Sequence, residues 1–503
     1  MALRSHTIKE MKQNYLDIFR ELNKVPRPSH HEERVADFLC AFAEEHGLKY
    51  RRDAQNCVVI EKPATPGCEK AEPVVILNHM DMVCVAREGY LRDGRPFNPL
   101  TDEIRAYEEE VTNADGTKSR WMKAEGTSLG ADNGMGLSMA LAILADDSIV
   151  HPALEVLTTT NEEDGMSGAE ALSSDFIKGR RVINLDSEAY DEMTVGAAGA
   201  CLQQAVWESK KSAVPAGRAF RRLAVEGGLG GHSGVDINKG RCNCIQRLCQ
   251  LLMGGPGDTL VCRIDGGTAN ASIASRAEAV VAIQPEAEAE WQAFVDKARQ
   301  QMAAEFGESD PAVTVRFDEA PAVEDALSNA ADVVACVCAL PCGVQTMRED
   351  MPGTVMTSSN IGVLATTADG ITLTTHTRSF DNAVQTAFSD DIRDLMLKHG
   401  AKNVERLMNT GAWMERPDSS LLALTCETFR DVLGFEPKKV AMHFVLEAAY
   451  YVEKYPGVEI ASIGPLIIEP HSTSERVNLD TADDIWKVTV ELLRRLATYK
   501  DAE

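Results

Sequence analysis

Short runs of apolar and β-branched residues alternate with stretches of helical periodicity through the first 190 positions. The runs at 57–60, 74–77, 154–160 and 182–185 are strand-length and nearly free of polar alternation, which predicts strands covered on both faces. Helical patterns fall at about 7–24, at about 30–47 and after Gly134, from Met135 to Leu144. Pro26 and Pro28 break the pattern between the first two, and Ser29 is placed to cap the second. Strand–helix alternation of this kind predicts an α/β fold, with a mostly parallel sheet flanked by helices. Ligands of such sheets bind beyond the carboxyl ends of the strands.

The texture changes near residue 203. Positions 223–231 read as a strand running into a glycine turn, followed by His232-Ser233-Gly234. A helix is expected at about 240–253, strands near 260–264 and 277–284, and a helix at about 286–306. After about 408 the first pattern resumes, with a helix at 418–433, a strand at 458–463 and a closing helix at 481–498. The chain therefore divides into a catalytic domain of 1–202 and 409–503 and an inserted α+β domain of 203–408. A polar stretch from Asp93 to Glu125, with a hairpin signal at Asn113-Ala114-Asp115-Gly116, reads as an insertion near the mouth of the site.

The length of 503 residues supports the two-domain division. A net charge of −26, from 51 basic and 77 acidic residues, disfavours nucleic acid and anionic membranes as partners. No apolar run reaches the ~18 residues of a membrane helix, and the polar N-terminus lacks the core of a signal peptide. The 13 cysteines form no CxxC pair, which suits reduced thiols in a cytoplasmic protein.

Candidate chemistry gathers at the ends of the expected strands. His79 and Asp81 follow the run at 74–77, Glu162 and Glu163 follow 154–160, and Asp186 follows 182–185. Asp132 sits in the glycine-flanked turn Leu129-Gly130-Ala131-Asp132-Asn133-Gly134, just ahead of a helix. Each has a plainer reading alone: a structural histidine, a helix N-cap, a solvated acidic pair. Together they match a hydrolase with two zinc ions, in which a bridging carboxylate joins the ions and each keeps an open position. Asp132 fits the bridge, His79 an imidazole ligand, and Asp81 the carboxylate that orients its ring. The adjacent glutamates divide naturally into Glu163 as ligand and Glu162 as general base. Asp186 supplies a further oxygen, and His471, in a turn past the strand at 458–463, completes the second ion. Manganese or cobalt would suit the same donors.

In motif order and spacing the chain resembles the M20 family of metallopeptidases, in its aminoacyl-histidine (Xaa-His) dipeptidase branch. The resemblance runs through Val25-Pro26-Arg27-Pro28-Ser29, Asn78-His79-Met80-Asp81, the Asp132 turn, Thr159 to Ala169, Asn184-Leu185-Asp186-Ser187-Glu188, Gly230 to Ile237 and Thr357-Ser358-Ser359-Asn360. It implies one zinc on His79, Asp132 and Asp186 and the other on Asp132, Glu163 and His471, with Glu162 as base. It further implies that the inserted domain is a lid that mediates homodimerisation, and that His232 stabilises the oxyanion. Arg378 is a candidate clamp for the substrate carboxylate, or else an arginine of the lid surface. The expected substrate is a short unblocked peptide.

Three departures stand out. The segment His443-Phe444-Val445-Leu446-Glu447-Ala448-Ala449 replaces the family's usual His-Ala-Gly-Leu-Glu-Cys-Gly. A lid asparagine expected after Gly266-Gly267 falls on Ala271, with Asn270 adjacent. His471 precedes Ser-Thr-Ser where proline is common. None touches an expected ligand, so they bear on substrate choice. A dipeptidase needs an acid for the substrate's free ammonium, and Glu447 or Asp102 could supply it. A tripeptidase, an N-acyl amino acid deacylase and a catalytically idle binding relative are the alternative readings.

Overall fold

The computed structural model describes residues 14–414 and 416–499 and divides them into two compact units. The first comprises the described residues up to 195, within 415–440 and from 450 onwards; the second comprises 196–414 and 441–449. The nine-residue segment 441–449, expected in the resumed first domain, belongs to the second unit. Hydrogen bonds draw it there, from Ala198 N–H to the Met442 carbonyl (2.8 Å) and between Ser358 Oγ and His443 Nε2 (2.7 Å).

The first unit is built on an eight-stranded sheet. Its strands are β1 (Lys49–Arg52), β2 (Val58–Lys62), β3 (Val74–His79), β4 (Leu154–Thr159), β5 (Arg181–Asn184), β6 (Glu192–Ala197), β7 (Lys438–Met442) and β8 (Glu459–Ser462), in the order β1-β2-β4-β3-β5-β8-β6-β7. The expected parallel arrangement is the centre of the sheet: β4, β3, β5 and β8 pair in parallel, while β1, β2 and β6 pair antiparallel beside them. Every residue of β3, β4 and β5 is buried, as the unbroken apolar runs require. Because β3 aligns with both β4 and β5, their carboxyl ends lie side by side.

The first helix spans Tyr15–Leu22, and the part of the expected helix at 7–13 lies outside the described residues. The second spans Glu33–Glu45 and carries no side-chain cap. Ser29 does not cap it; its hydroxyl donates instead to Asp81 Oδ2 at 2.7 Å. The polar insertion forms a hairpin, Ala106–Thr112 with Lys118–Ala124. This hairpin pairs with Arg476–Asn478, which pairs in turn with Ile467–Ile468. The loop carrying His471 is thus the turn of a small sheet built from the insertion.

The second unit has a nine-stranded sheet in which eight strands run in the order Thr314–Glu319, Ala219–Glu226, Ala277–Ile283, Leu260–Gly266, Val355–Thr366, Gly370–Ser379, Gly199–Glu208 and Asn403–Thr410, while Gly343–Met347 pairs with Val355–Thr366. Helices Cys244–Gly254, Glu288–Phe306, Ala330–Ala339 and Asn382–Lys398 contribute to its apolar core. All 13 cysteines are free thiols.

The helix Ala131–Ala145 is buried along almost its whole length and approaches the ends of β3 and β5 through Gly136. A Cβ there would fall 2.2 Å from the Leu185 carbonyl oxygen and 2.8 Å from Asn78 Nδ2. Gly136→Ala therefore sets helix propensity, a gain of about 1 kcal/mol, against overpacking that typically costs about 1–3 kcal/mol. Backbone contact at 2.2 Å makes overpacking dominate, so the variant is expected to unfold at lower temperature and lower urea concentration. A more stable variant would show that the helix can move away from the sheet without loss.

Candidate metal centre

Each expected ligand reaches the site for a local reason. His79 ends β3. Its Nδ1 faces the Asp81 carbonyl (3.1 Å) and carboxylate (3.4 Å), which turns Nε2 toward the site. Asp81 is fully buried, and its oxygens accept from Ser29 and from the amides of Glu162 (3.1 Å) and Glu163 (3.3 Å). One carboxylate thus orients the histidine and anchors the turn after β4. Asn161, at φ +55°, starts that turn and closes it by donating to the Asp164 carbonyl and Ser167 Oγ; asparagine tolerates this left-handed backbone better than most residues.

Asp132 stands ahead of the regular turns of its helix, with extended backbone at φ −83° and ψ 114°. The next residue secures it. Asn133 accepts from Asn78 Nδ2 and donates to the Leu185 carbonyl, both at 2.7 Å, and so ties the helix start to the ends of β3 and β5. Asp132 Oδ1 lies 3.2 Å from His79 Nε2, and Oδ2 lies 3.1 Å from His471 Nε2. Asp186 Oδ1 is 3.4 Å from His79 Nε2, and Glu163 Oε2 is 2.8 Å from His471 Nε2. His471 itself has φ +59° in a tight turn. Where proline was expected, Ser472 closes that turn by donating to the Glu469 carbonyl (2.8 Å) and accepting from the Ser474 amide (3.1 Å).

The donor set fits divalent cations. His79, Asp132 and Glu163 each bring a ligand atom within 4.8 Å of the others. Glu163 Oε1 and Asp186 Oδ1 are buried and make no hydrogen bond, although such atoms are costly unless a partner takes them up. Charge is also unbalanced. Burial disfavours a charged His79, yet Asp186, Asp132 and Asp81 outweigh it and hold the ring well above the ordinary histidine range. Bonds to Asp132 and Glu163 push His471 up to about 11. Burial, reinforced by neighbouring carboxylates, pushes Asp186 up to about 6 and Glu188 up to about 8. A site with more buried carboxylates than cations accounts for all four shifts.

Three residues near these ligands had no role assigned from sequence. Glu188 is one. Glu475 is another: its buried carboxylate accepts from the amides of Leu129, Gly130, Ala131 and Asp132. Arg27, also buried, donates to the carbonyls of Met80, Asp81 and Gly130. No local periodicity announces a glutamate that meets amides more than 340 positions upstream.

The remaining candidates lie in the second unit, apart from Asp102. Asp102 is taken up by Arg95, through contacts of 2.7 and 2.5 Å, and by the Asn98 amide, so it is not a free acid. Glu447 is buried. Asn270 lies two residues before Ser272, which bridges to His232. Arg378 is not on the surface: it is 3% exposed, and Nη2 reaches only Ser233 Oγ (3.2 Å) and His376 Nδ1 (3.5 Å). Among the described residues no carboxylate pairs with it, and its Nε makes no hydrogen bond. Burial together with the Arg378 charge pushes His232 down to about 4, His443 down to about 3, and His376 well below its ordinary value. Phe444, one of the departures, packs edge-on to the His232 ring at 5.7 Å.

Residues 75–498 match peptidase family M20/M25/M40. The chain is 32% identical to the cytosol non-specific dipeptidase of Escherichia coli over 486 residues, covering 95% of this chain and 97% of that protein. It is similar in structure to the aminoacylhistidine dipeptidase of Vibrio alginolyticus, with a TM-score of 0.83 and 31% identity over 95% and 96% of the two chains. A tripeptidase of Staphylococcus aureus shares the fold at 14% identity, with a TM-score of 0.53 over 97% and 99% of the chains. Among the described residues no helix is long and apolar enough to cross a membrane. The chain belongs to peptidase family M20/M25/M40, a family of metal-dependent peptide hydrolases.

Proposed function

We propose that this chain is a cytoplasmic two-zinc dipeptidase that hydrolyses short unblocked peptides, Xaa-His dipeptides among them. The observation that carries this reading is the Asp132 carboxylate shared between two imidazoles, one oxygen toward His79 and the other toward His471. His79, Asp132 and Asp186 would hold one ion, and Asp132, Glu163 and His471 the other, with manganese or cobalt able to replace zinc. When bound, the ions acidify a water and polarise the scissile carbonyl.

The chain's own residues do the rest. Glu162 takes the proton of the attacking water on its carboxylate and passes it to the leaving amine. The same buried Asp81 that orients His79 accepts the Glu162 amide, so base and ligand share one anchor. His232 Nδ1 accepts the amides of Gly234 and Val235 (3.3 and 3.2 Å), which leaves the proton of the neutral ring on Nε2. That N–H donates to the developing oxyanion. Arg378, buried without a carboxylate partner, clamps the substrate's carboxylate. Asn270 adds a polar contact, and the buried Glu447 receives the substrate ammonium. Dimerisation through the second unit is part of the same reading; that unit exposes Leu229, Val235, Met253 and Leu407.

Glu162→Gln is expected to lower kcat by about 10²–10⁴ while the protein still takes up two metal ions per chain; full activity in this variant would remove Glu162 from the role of base. Dialysis against a chelator should abolish hydrolysis, and zinc, manganese or cobalt should restore it, on a panel of Xaa-His and other dipeptides, a tripeptide and N-acetyl amino acids. Cleavage of the tripeptide or the N-acetyl compounds alone would move the substrate, and metal uptake without any cleavage would favour an idle relative. Arg378→Met should raise KM for dipeptides by about 10–100-fold, from the loss of charge-assisted hydrogen bonds worth about 1.5–3 kcal/mol. C-terminal amides should be hydrolysed equally by both proteins, and an equal loss on acids and amides would argue against the clamp.

A further inference from the structure

We propose that Glu475 is a positioning residue that locks the Asp132 turn to the His471 loop and thereby sets the affinity of the ion those two residues share. The inference rests on the two-ion reading above.

Glu475 lies four residues after His471 in the same short hairpin loop, between Ile467–Ile468 and Arg476–Asn478. Its side chain leaves that loop and enters a nest of backbone amides. Oε2 accepts from Leu129 (2.7 Å) and Gly130 (3.0 Å), and Oε1 accepts from Ala131 (2.7 Å) and, more weakly, from Asp132 itself (3.4 Å). Successive amides converge in this way when a left-handed residue bends the chain, and such nests bind anions. Gly130 supplies the bend, at φ +69°. A side chain at Gly130 would meet Met82 Sδ at 2.5 Å and the Arg27 guanidinium at 2.6 Å, so the bend has no room for another residue. Arg27 holds the Gly130 carbonyl at 2.6 Å. The Asp132 turn is therefore gripped through its amides by Glu475 and through a carbonyl by Arg27.

The consequence falls more heavily on one ion, because Asp132 serves both ions but His471 serves only the second. Asp132 and His471 come from segments about 340 residues apart, and Glu475 is a rigid link from the loop of one to the backbone of the other. Among the described residues no comparable hydrogen bond joins Glu475 to His79 or Asp186, whose positions follow from β3 and β5. Loss of the carboxylate would leave four buried amides without their shared acceptor and free the His471 loop from the turn. The ion on Asp132, Glu163 and His471 should loosen, while the ion on His79, Asp132 and Asp186 is largely kept.

Glu475→Gln and Glu475→Ala, in the full chain, test this against the unaltered protein. Glu469→Gln, an exposed residue of the same loop, serves as the charge-loss control. Zinc and manganese uptake is measured by equilibrium dialysis and metal analysis, with kcat, KM and the melting temperature of the chelator-treated protein alongside. The expected result is a 10–100-fold weaker second ion, a first ion changed little, a fall in kcat larger than the change in KM, and Glu469→Gln unchanged. If Glu475→Ala does not fold, Glu475→Gln carries the test, since it keeps one acceptor oxygen and the side-chain volume. Two ions of unaltered affinity in folded Glu475→Gln would overturn the proposal. So would equal weakening of both ions in step with a lower melting temperature, because that is the signature of general destabilisation. Unaltered protein that takes up fewer than two ions would instead overturn the two-ion reading, and this inference with it.

Discussion

Asp132 is shared between two imidazoles in a site that holds more negative charge than the protein itself neutralises, and much of the first unit serves to keep it there. Buried carboxylates without a cation cost several kcal/mol each, so the arrangement is unstable unless the surroundings constrain it and a cation compensates it. The constraint comes from backbone. Parallel register brings the ends of β3, β4 and β5 into line. Asn133 then pins the helix start to two of those ends, and Glu475 and Arg27 hold the preceding turn. The compensation is incomplete within the protein, since Glu163 Oε1 and Asp186 Oδ1 are buried without a hydrogen bond.

The second unit presents the opposite electrostatic problem. Arg378 is a buried cation with no carboxylate beside it among the described residues, surrounded by three histidines whose protonation it helps to suppress. A buried guanidinium in this state is costly to the unit that holds it. Each unit therefore keeps a charged site that its own residues do not neutralise. The departures in 443–449 fall beside these histidines, where Phe444 packs on the His232 ring.

Local sequence was a good guide wherever local physics decides the outcome. Unbroken apolar runs predicted the central strands to within a residue or two, and Asn113-Ala114-Asp115-Gly116 marked a real hairpin. It misled where a side chain had two local uses. Ser29 has the composition and position of a helix cap but bonds to Asp81. Asp102 reads as a free acid but is consumed by Arg95, seven residues away. Arg378 reads equally as surface or site until its burial is known, because alternation along a strand does not say which side of a sheet is covered.

The sequence by itself determined the fold class, the strand ends and the residue types standing at them, because periodicity and short motifs are properties of neighbouring positions. It also carried enough motif order to point to the family. Tertiary structure alone decided which of those residues share a carboxylate, which buried groups lack partners, and that 441–449 joins the second unit. It also revealed the contacts of Glu475 with Leu129 through Asp132. These depend on the closure of segments hundreds of residues apart, where strand register and the direction of a single side chain decide the outcome and no local pattern records it.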